Sequence, residues 1–94
     1  MIPFQVRKYN DKDELRLGWA SWDENHSNIS AKYTWFDKRG RACRGGEVPI
    51  EALPQMLAMA IQSGHLRAED LTADDLKLLA EFFAVAKKKL SRAA

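Results

Sequence analysis

The sequence has few of the residues that build disulfides, metal sites or membrane spans. Its 94 residues include one cysteine, Cys43, so an internal disulfide cannot form. The two histidines, His26 and His65, lack the spaced partners of a zinc site, which needs about four ligands. No apolar run approaches the roughly 20 residues of a transmembrane helix. The chain also lacks a basic start followed by an apolar stretch. We therefore expect no secretory signal, no membrane association, no metal ion or organic cofactor, and a cytoplasmic location.

What remains is the composition of a folded protein. Hydrophobic residues make up 46% of the chain and charged residues 30%, which argues against wholesale disorder. A chain of this length has room for one hydrophobic core. The composition therefore predicts a single domain over residues 1–94.

The first half of the chain has the alternation of β-strands. Apolar side chains recur at every second position over residues 15–19 and 29–35, and residues 2–9 alternate more loosely. Residues 41–50 fit a short fourth strand that Gly45, Gly46 and Pro49 loosen. The pattern predicts a three- or four-stranded antiparallel meander over about residues 2–50. We expect one face against helices and the other open, with the open face carrying Arg16, Trp22, Lys32, Thr34 and Phe36.

The second half has the periodicity of two helices, at about residues 52–63 and 73–90. In the first, apolar residues fall on one stripe, and Pro54 is tolerated only in the first turn. Thr72 and Asp75 resemble a capping box at the start of the second. The predicted fold class is therefore α+β, with the meander followed by two C-terminal helices.

The last helix is too apolar for a single contact face. Leu78, Phe82 and Val85 form a second apolar stripe beside the one that contains Leu76, Leu79 and Phe83. The second stripe predicts an interface with another subunit, and we expect a homodimer. The alternative is a helix wedged between the sheet and the first helix.

Charge is nearly balanced overall but uneven along the chain. Residues 1–46 hold nine basic and six acidic groups, whereas residues 47–94 hold six basic and seven acidic groups. The basic excess peaks over residues 38–44, and such a local patch says more about partners than the net charge of +2. The sequence offers no nucleophile paired with a base. Its acid pairs, such as the one at residues 74–75, are explained by the start of a helix, so nothing indicates an enzyme. We expect no catalytic residues and no small-molecule substrate.

Aromatic and basic residues are interleaved in the second and third predicted strands. Single-stranded nucleic acid is bound by this combination, because rings stack on bases while cations follow the phosphates. We expect Trp19, Tyr33 and Trp35 to lie in the core, and Trp22 or Phe36 to stack on bases. The predicted nucleic-acid site comprises Arg16, Trp22, Lys32, Phe36, Lys38, Arg39, Arg41 and Arg44.

The order of these features resembles the positive-cofactor-four transcriptional coactivators. The resemblance lies in residues 31–40 and 44–50: an aromatic-ended strand, a turn, a basic and glycine-rich segment, and an apolar strand that enters a helix. It spans about residues 13–62 and implies a homodimer that binds single-stranded DNA in transcription or replication. Trp35 or Phe36 would hold the family's aromatic position, and Arg41 and Arg44 its basic segment. Two departures are the extra helix from Thr72 and the absence of a Ser/Thr/Asn-Pro pair at the first helix.

A second function fits the same sequence. The doubly apolar last helix is also typical of a small adaptor, or of an inhibitor of a larger enzyme, that binds its protein partner through Leu78, Phe82 and Val85. DNA and RNA are both open as ligands for the first function.

Overall fold

The computed structural model of the protein describes residues 1–43 and 45–93 and confirms the α+β fold. A four-stranded antiparallel sheet, in the order β1-β2-β3-β4, precedes two helices. Arg44 lies outside the described residues. The strands are β1 (Ile2–Lys8), β2 (Glu14–Trp19), β3 (Ile29–Thr34) and β4 (Glu47–Pro49), and the helices are α1 (Leu53–Gln62) and α2 (Ala73–Ala93).

The pairing of β2 with β3 divides the sheet into two faces. Leu15 is opposite Tyr33, and Arg16 is opposite Lys32. Directly opposed residues share a face of an antiparallel pair. The apolar face therefore carries Leu15, Leu17, Trp19, Ile29, Ala31 and Tyr33, and the charged face carries Glu14, Arg16, Gly18, Ser30, Lys32 and Thr34. These are the two sets that the sequence alternation predicts.

Burial of the two faces differs from the prediction. On the charged face, Ser30 and Thr34 are both 0% exposed, and Arg16 and Lys32 are half-buried. On the apolar face, Leu15 is 40% and Tyr33 39% exposed. The prediction that Thr34 faces outward and Tyr33 lies in the core was therefore wrong. Trp35, also expected in the core, is exposed.

The first residues of the chain lie close against Gly18 on the charged face. A Cβ atom at Gly18 would lie 2.4 Å from the Ile2 carbonyl oxygen and 2.8 Å from the Met1 Cγ atom. Only glycine permits this approach of the Met1–Ile2 segment to β2. The β1–β2 register shifts between Pro3 and Gln5, which marks a bulge where β1 passes this point.

Glu47 joins three segments of this face. Its Oε1 accepts hydrogen bonds from the Ser30 hydroxyl at 2.8 Å and the Ser21 amide at 3.1 Å, and its Oε2 lies 3.5 Å from the Met1 ammonium. Burial raises the pKa of Glu47, but the bonds from Ser21 and Ser30 and the ammonium charge outweigh it and lower the pKa to about 2. The carboxylate thus ties β4 to β3, to the loop after β2 and to the chain start.

Turn chemistry sets the ends of the later elements. β4 ends at Pro49, which has no N–H to continue a ladder, and a 3₁₀ turn over Ile50–Ala52 leads into α1. Pro54 lies in the first turn of α1, as predicted. The predicted cap of the last helix is also confirmed, because the Thr72 hydroxyl accepts the Asp75 amide at 3.0 Å.

The chain divides into two compact units, residues 1–57 and the residues from Ala58 onward. The first contains the sheet and the start of α1, and the second contains the rest of α1 and α2. The single-domain organisation stays a prediction. Among the described residues, no helix combines the length and apolar character needed to cross a bilayer.

We predict that Glu47→Gln removes about 1–2 kcal/mol from the free energy of unfolding at pH 7, because its charge-assisted hydrogen bonds become weaker. The pKa of Glu47 falls from 4.5 to about 2 on folding, so its ionised form stabilises the protein above about pH 4.5. That contribution disappears as the pH falls through about 2.

Urea unfolding of the protein and the variant at several pH values checks this prediction. The two free energies should converge as the pH falls from about 4.5 towards 2. Glu51→Gln, in the exposed 3₁₀ turn, is the matched control and should change little. A difference that is constant with pH would contradict the role assigned to Glu47.

Candidate nucleic-acid interface

The basic segment after β3 forms a tight hairpin that Asp37 organises. Asp37 Oδ1 accepts the Arg39 amide at 2.9 Å and the Arg41 amide at 3.0 Å. Gly40 has a φ of +76°, which completes the turn as predicted. Phe36 pairs with Ala42 across the hairpin.

The cations of the hairpin differ in whether they form an ion pair with Asp37. Its Oδ2 lies 3.2 Å from the Arg41 Nε, so Arg41 is ion-paired within the turn. The Arg41 amide, with the Arg39 amide and the Arg41 side chain, holds the pKa of Asp37 below its usual range despite partial burial. Lys38 and Arg39, at the tip, are exposed and make no ion pair with the described residues.

A second connection reaches the same end of the sheet. In a meander, the β1–β2 turn and the β3–β4 connection lie at one end, and the β2–β3 loop lies at the other. Asn10 Oδ1 accepts the amides of Lys12 at 2.9 Å and Asp13 at 2.7 Å, which fixes the β1–β2 turn. Asp13 accepts the Tyr33 hydroxyl, and this bond lowers the pKa of Asp13 and raises that of Tyr33.

These two connections enclose a cleft of about 500 Å³, which we call the basic cleft. It is lined by Lys8, Lys12, Phe36, Asp37 and Lys38. Three lysines and one phenylalanine therefore line one cleft together with a single carboxylate, whose ion-pair partner is Arg41 on its own hairpin. Sequence reasoning missed Lys8 and Lys12, although the predicted meander brings their turn to the hairpin's end.

The other predicted site residues are dispersed. Arg16 binds Glu14 through Nη2 at 2.7 Å and Nε at 3.2 Å, so its charge is already paired. A Cβ atom at Gly45 would lie 3.6 Å from the Lys32 Cε, so the end of the lysine stem lies beside the connection between β3 and β4. Neither residue lines the basic cleft. Arg44 is outside the described residues, so its place in the nucleic-acid site stays a prediction.

Trp22 lies in the β2–β3 loop, at the opposite end of the meander from the basic cleft. It is 51% exposed, but β2 ends at Trp19, so Trp22 does not lie on the sheet face that it was predicted to share with Arg16 and Lys32. Asp23 holds this loop by accepting the Asn25 amide at 3.0 Å and the Ser27 amide at 2.9 Å. Hydrogen bonds to Asp23, of which those from the Ser27 hydroxyl and the Asn25 amide have the largest effect, lower its pKa to about 2. Phe36 is thus the one predicted stacking residue beside the cleft lysines.

The apolar face of the sheet carries a second concavity, which we call the apolar groove. It measures about 500 Å³ and shares no lining residue with the basic cleft. Its walls are Leu15, Leu17, Ala31, Tyr33, Val48 and Leu53, with Gln5, Arg7, Arg16, Lys32 and Gly46 around them. This composition suits an apolar ligand surface better than a phosphate backbone.

The predicted interface residues of α2 form a continuous exposed stripe, the α2 stripe. Leu78 is 66%, Phe82 65% and Val85 69% exposed. The rings of Phe82 and Phe83 meet edge to face at 5.6 Å, so the apolar surface extends around the helix. Ala20 is the one fully buried apolar residue in the described part of the chain. Much of the apolar surface of α2 is thus exposed.

No protein-family model, curated protein or solved structure matches this chain. The two concavities and the helix are therefore the features that bear on function. Within residues 1–43 and 45–93, no cluster of three or more His, Cys, Asp or Glu side chains could hold a metal ion. The chemistry available at the basic cleft is charge neutralisation and stacking.

We predict that Asp37→Ala loosens the hairpin tip while the sheet stays folded. The substitution removes the shared acceptor of the Arg39 and Arg41 amides, so both should exchange with solvent at least about tenfold faster. Amide hydrogen exchange measured by NMR checks this. Asp11→Ala, in the β1–β2 turn, is the control. If the Arg39 and Arg41 amides of Asp37→Ala exchange as slowly as in the unchanged protein, the role assigned to Asp37 is contradicted.

Proposed function

We propose that this protein binds nucleic acid at the basic cleft and prefers single strands, with DNA favoured over RNA. The observation that carries the proposal is that Lys8, Lys12 and Lys38 line one cleft together with Phe36. The lysines would neutralise successive phosphates, and the ring would stack on an unpaired base. Arg39, exposed at the hairpin tip, extends the same positive surface.

The proposal assigns unequal weight to the predicted cations. Lys38 and Arg39 are available to phosphate, whereas Arg16 and Arg41 would first have to leave Glu14 and Asp37. An ion-paired arginine contributes less counterion release than an unpaired lysine. We therefore assign a minor part in phosphate binding to Arg16, Lys32 and Arg41. Trp22 would contact only a nucleic-acid strand long enough to pass the far end of the sheet.

The resemblance to the positive-cofactor-four coactivators supports the same reading. The sheet, the basic hairpin and the short apolar strand that leads into a helix occur in the order that the resemblance implies. We propose that the chain acts in transcription or replication as a cytoplasmic, non-catalytic homodimer. Two basic clefts in one dimer would raise the affinity for a strand long enough to reach both.

We predict that replacing Lys8, Lys12 and Lys38 together with alanine weakens single-strand binding and flattens its dependence on salt. For single strands, the slope of log K against log salt changes by about 0.7 for each phosphate that is no longer neutralised, so the triple variant's slope should become shallower by about 2. Intrinsic tryptophan fluorescence or anisotropy of a labelled oligonucleotide measures this. Replacement of Lys87, Lys88 and Lys89 on α2 with alanine removes the same charge and is the control. An equal change in the control would count against the cleft.

We predict that Phe36→Ala weakens single-strand binding by about tenfold, because stacking contributes about 1–3 kcal/mol per base. Phe36→Leu retains an apolar side chain without a ring and should weaken binding nearly as much while the fold survives. Duplex DNA, whose bases are already stacked, should respond less to either change. Unchanged affinity in the leucine variant would remove the stacking role.

The second candidate function is protein binding through the α2 stripe, in an adaptor or an inhibitor of a larger enzyme. It is favoured by side chains of Leu78, Phe82 and Val85 that are about two-thirds exposed. In the leading proposal, the same stripe holds the homodimer together. A partner protein and a second copy are thus competing occupants of one surface.

We predict that Phe82→Glu leaves the fold intact and abolishes association through α2. The side chain is 65% exposed, so its replacement removes little packing within the chain, whereas a carboxylate in an apolar interface is poorly solvated. Sedimentation gives the mass, and circular dichroism gives the melting temperature. Global unfolding of the variant would instead identify Phe82 as a core residue.

A further inference from the structure

The apolar groove and the α2 stripe are complementary surfaces carried by the same chain. The groove is lined by aliphatic side chains from β2, β3 and β4 and by Leu53 at the start of α1. The stripe offers Leu78, Phe82 and Val85 at helical spacing. An amphipathic helix lying in an apolar groove is a recurring mode of protein recognition. We infer that the apolar groove of one copy receives α2 of a second copy.

Charges around the two surfaces match this arrangement. Arg7 lines the groove and, being opposite Leu15, lies on the apolar face; it has no ion-pair partner in the described part of the chain. Asp74 and Glu81 each lie four residues before a stripe residue, Leu78 and Val85 respectively, and therefore on the same side of the helix. The helix also has an excess of acid before residue 82, whereas its lysines 87–89 follow the stripe. The acidic half of the helix would meet Arg7 at the groove.

The groove and the stripe also favour a second copy over an unrelated partner. Every copy brings one groove and one helix, so two copies related by a twofold axis would form two equivalent contacts. Burying Phe82 and Phe83 alone, at 65% and 50% exposed, would remove roughly 200 Å² of ring surface from water on each side. Because each copy contributes one helix, these rings supply about a quarter of the roughly 800 Å² per partner of a standard interface, and the rest of the stripe and the groove must supply the remainder.

This inference rests on the proposed self-association and is independent of nucleic-acid binding. The groove and the basic cleft have no lining residue in common, so substitutions in one leave the other intact. If the protein binds nucleic acid but does not pair through the groove, this inference has failed. If it pairs through the groove but does not bind nucleic acid, the proposed function has failed.

Cross-linking between differently labelled copies tests the pairing of groove with helix. In a Cys43→Ser background, one chain carries Leu15→Cys in the groove and the other carries Phe82→Cys on the stripe. We expect a mixed disulfide when the two are combined in oxidised glutathione, and little disulfide within either chain population alone. Lys77→Cys, on the polar side of α2, replaces Phe82→Cys as the control and should not cross-link to the groove.

Three outcomes overturn the inference. Efficient disulfides in the Phe82→Cys chain alone would mean that α2 pairs with α2. Equal cross-linking by Lys77→Cys would mean that contact is unspecific. A chain that sediments as a monomer at all concentrations would remove the second copy altogether.

A charge exchange provides a second test that keeps the apolar surfaces unchanged. Arg7 is exposed, so Arg7→Glu should fold normally and weaken the dimer by about tenfold. Glu81→Arg should weaken it similarly, and the two changes together should restore much of the affinity. Effects that simply add in the double variant would show that these residues do not meet.

Discussion

The register between β2 and β3 is the constraint on which the other features depend. With Leu15 opposite Tyr33 and Arg16 opposite Lys32, apolar and charged side chains are sorted onto opposite faces. A shift of one residue would reverse every assignment. The meander then fixes the ends: the β1–β2 turn and the hairpin after β3 lie together, and the β2–β3 loop lies far from both.

The charged face largely satisfies its own charges. Glu14 engages Arg16, and Glu47 engages the chain's amino group together with Ser21 and Ser30. Cations paired in this way hold the sheet together and have little charge left for a ligand. Lysines that form no ion pair in the described part of the chain instead lie near the turns, where Lys8, Lys12 and Lys38 line one cleft with Phe36. Structure and ligand binding would thus use different sets of basic residues.

Much of the fold follows from local patterns in the sequence. Alternation predicts the two faces, Gly40 predicts the turn, and Pro54 and Thr72 mark the starts of the helices. Burial was harder to predict because it depends on contacts distant in the chain. Glu47 reaches Ser30 across 17 positions and Ser21 across 26, and no local period encodes such bonds. The hairpin's part in the site was foreseeable from its charge, whereas Lys8 and Lys12 join it only through the meander's geometry.

The central claim is that nucleic acid binds at one end of the sheet, and residue-resolved NMR tests it most directly. A ¹⁵N-labelled chain would be titrated with a single-stranded oligonucleotide at low salt. Binding at the basic cleft predicts shifts concentrated in residues 8–12 and 36–41, with the β2–β3 loop around Trp22 almost unchanged. An unperturbed spectrum, or shifts confined to that loop or to α2, would contradict it.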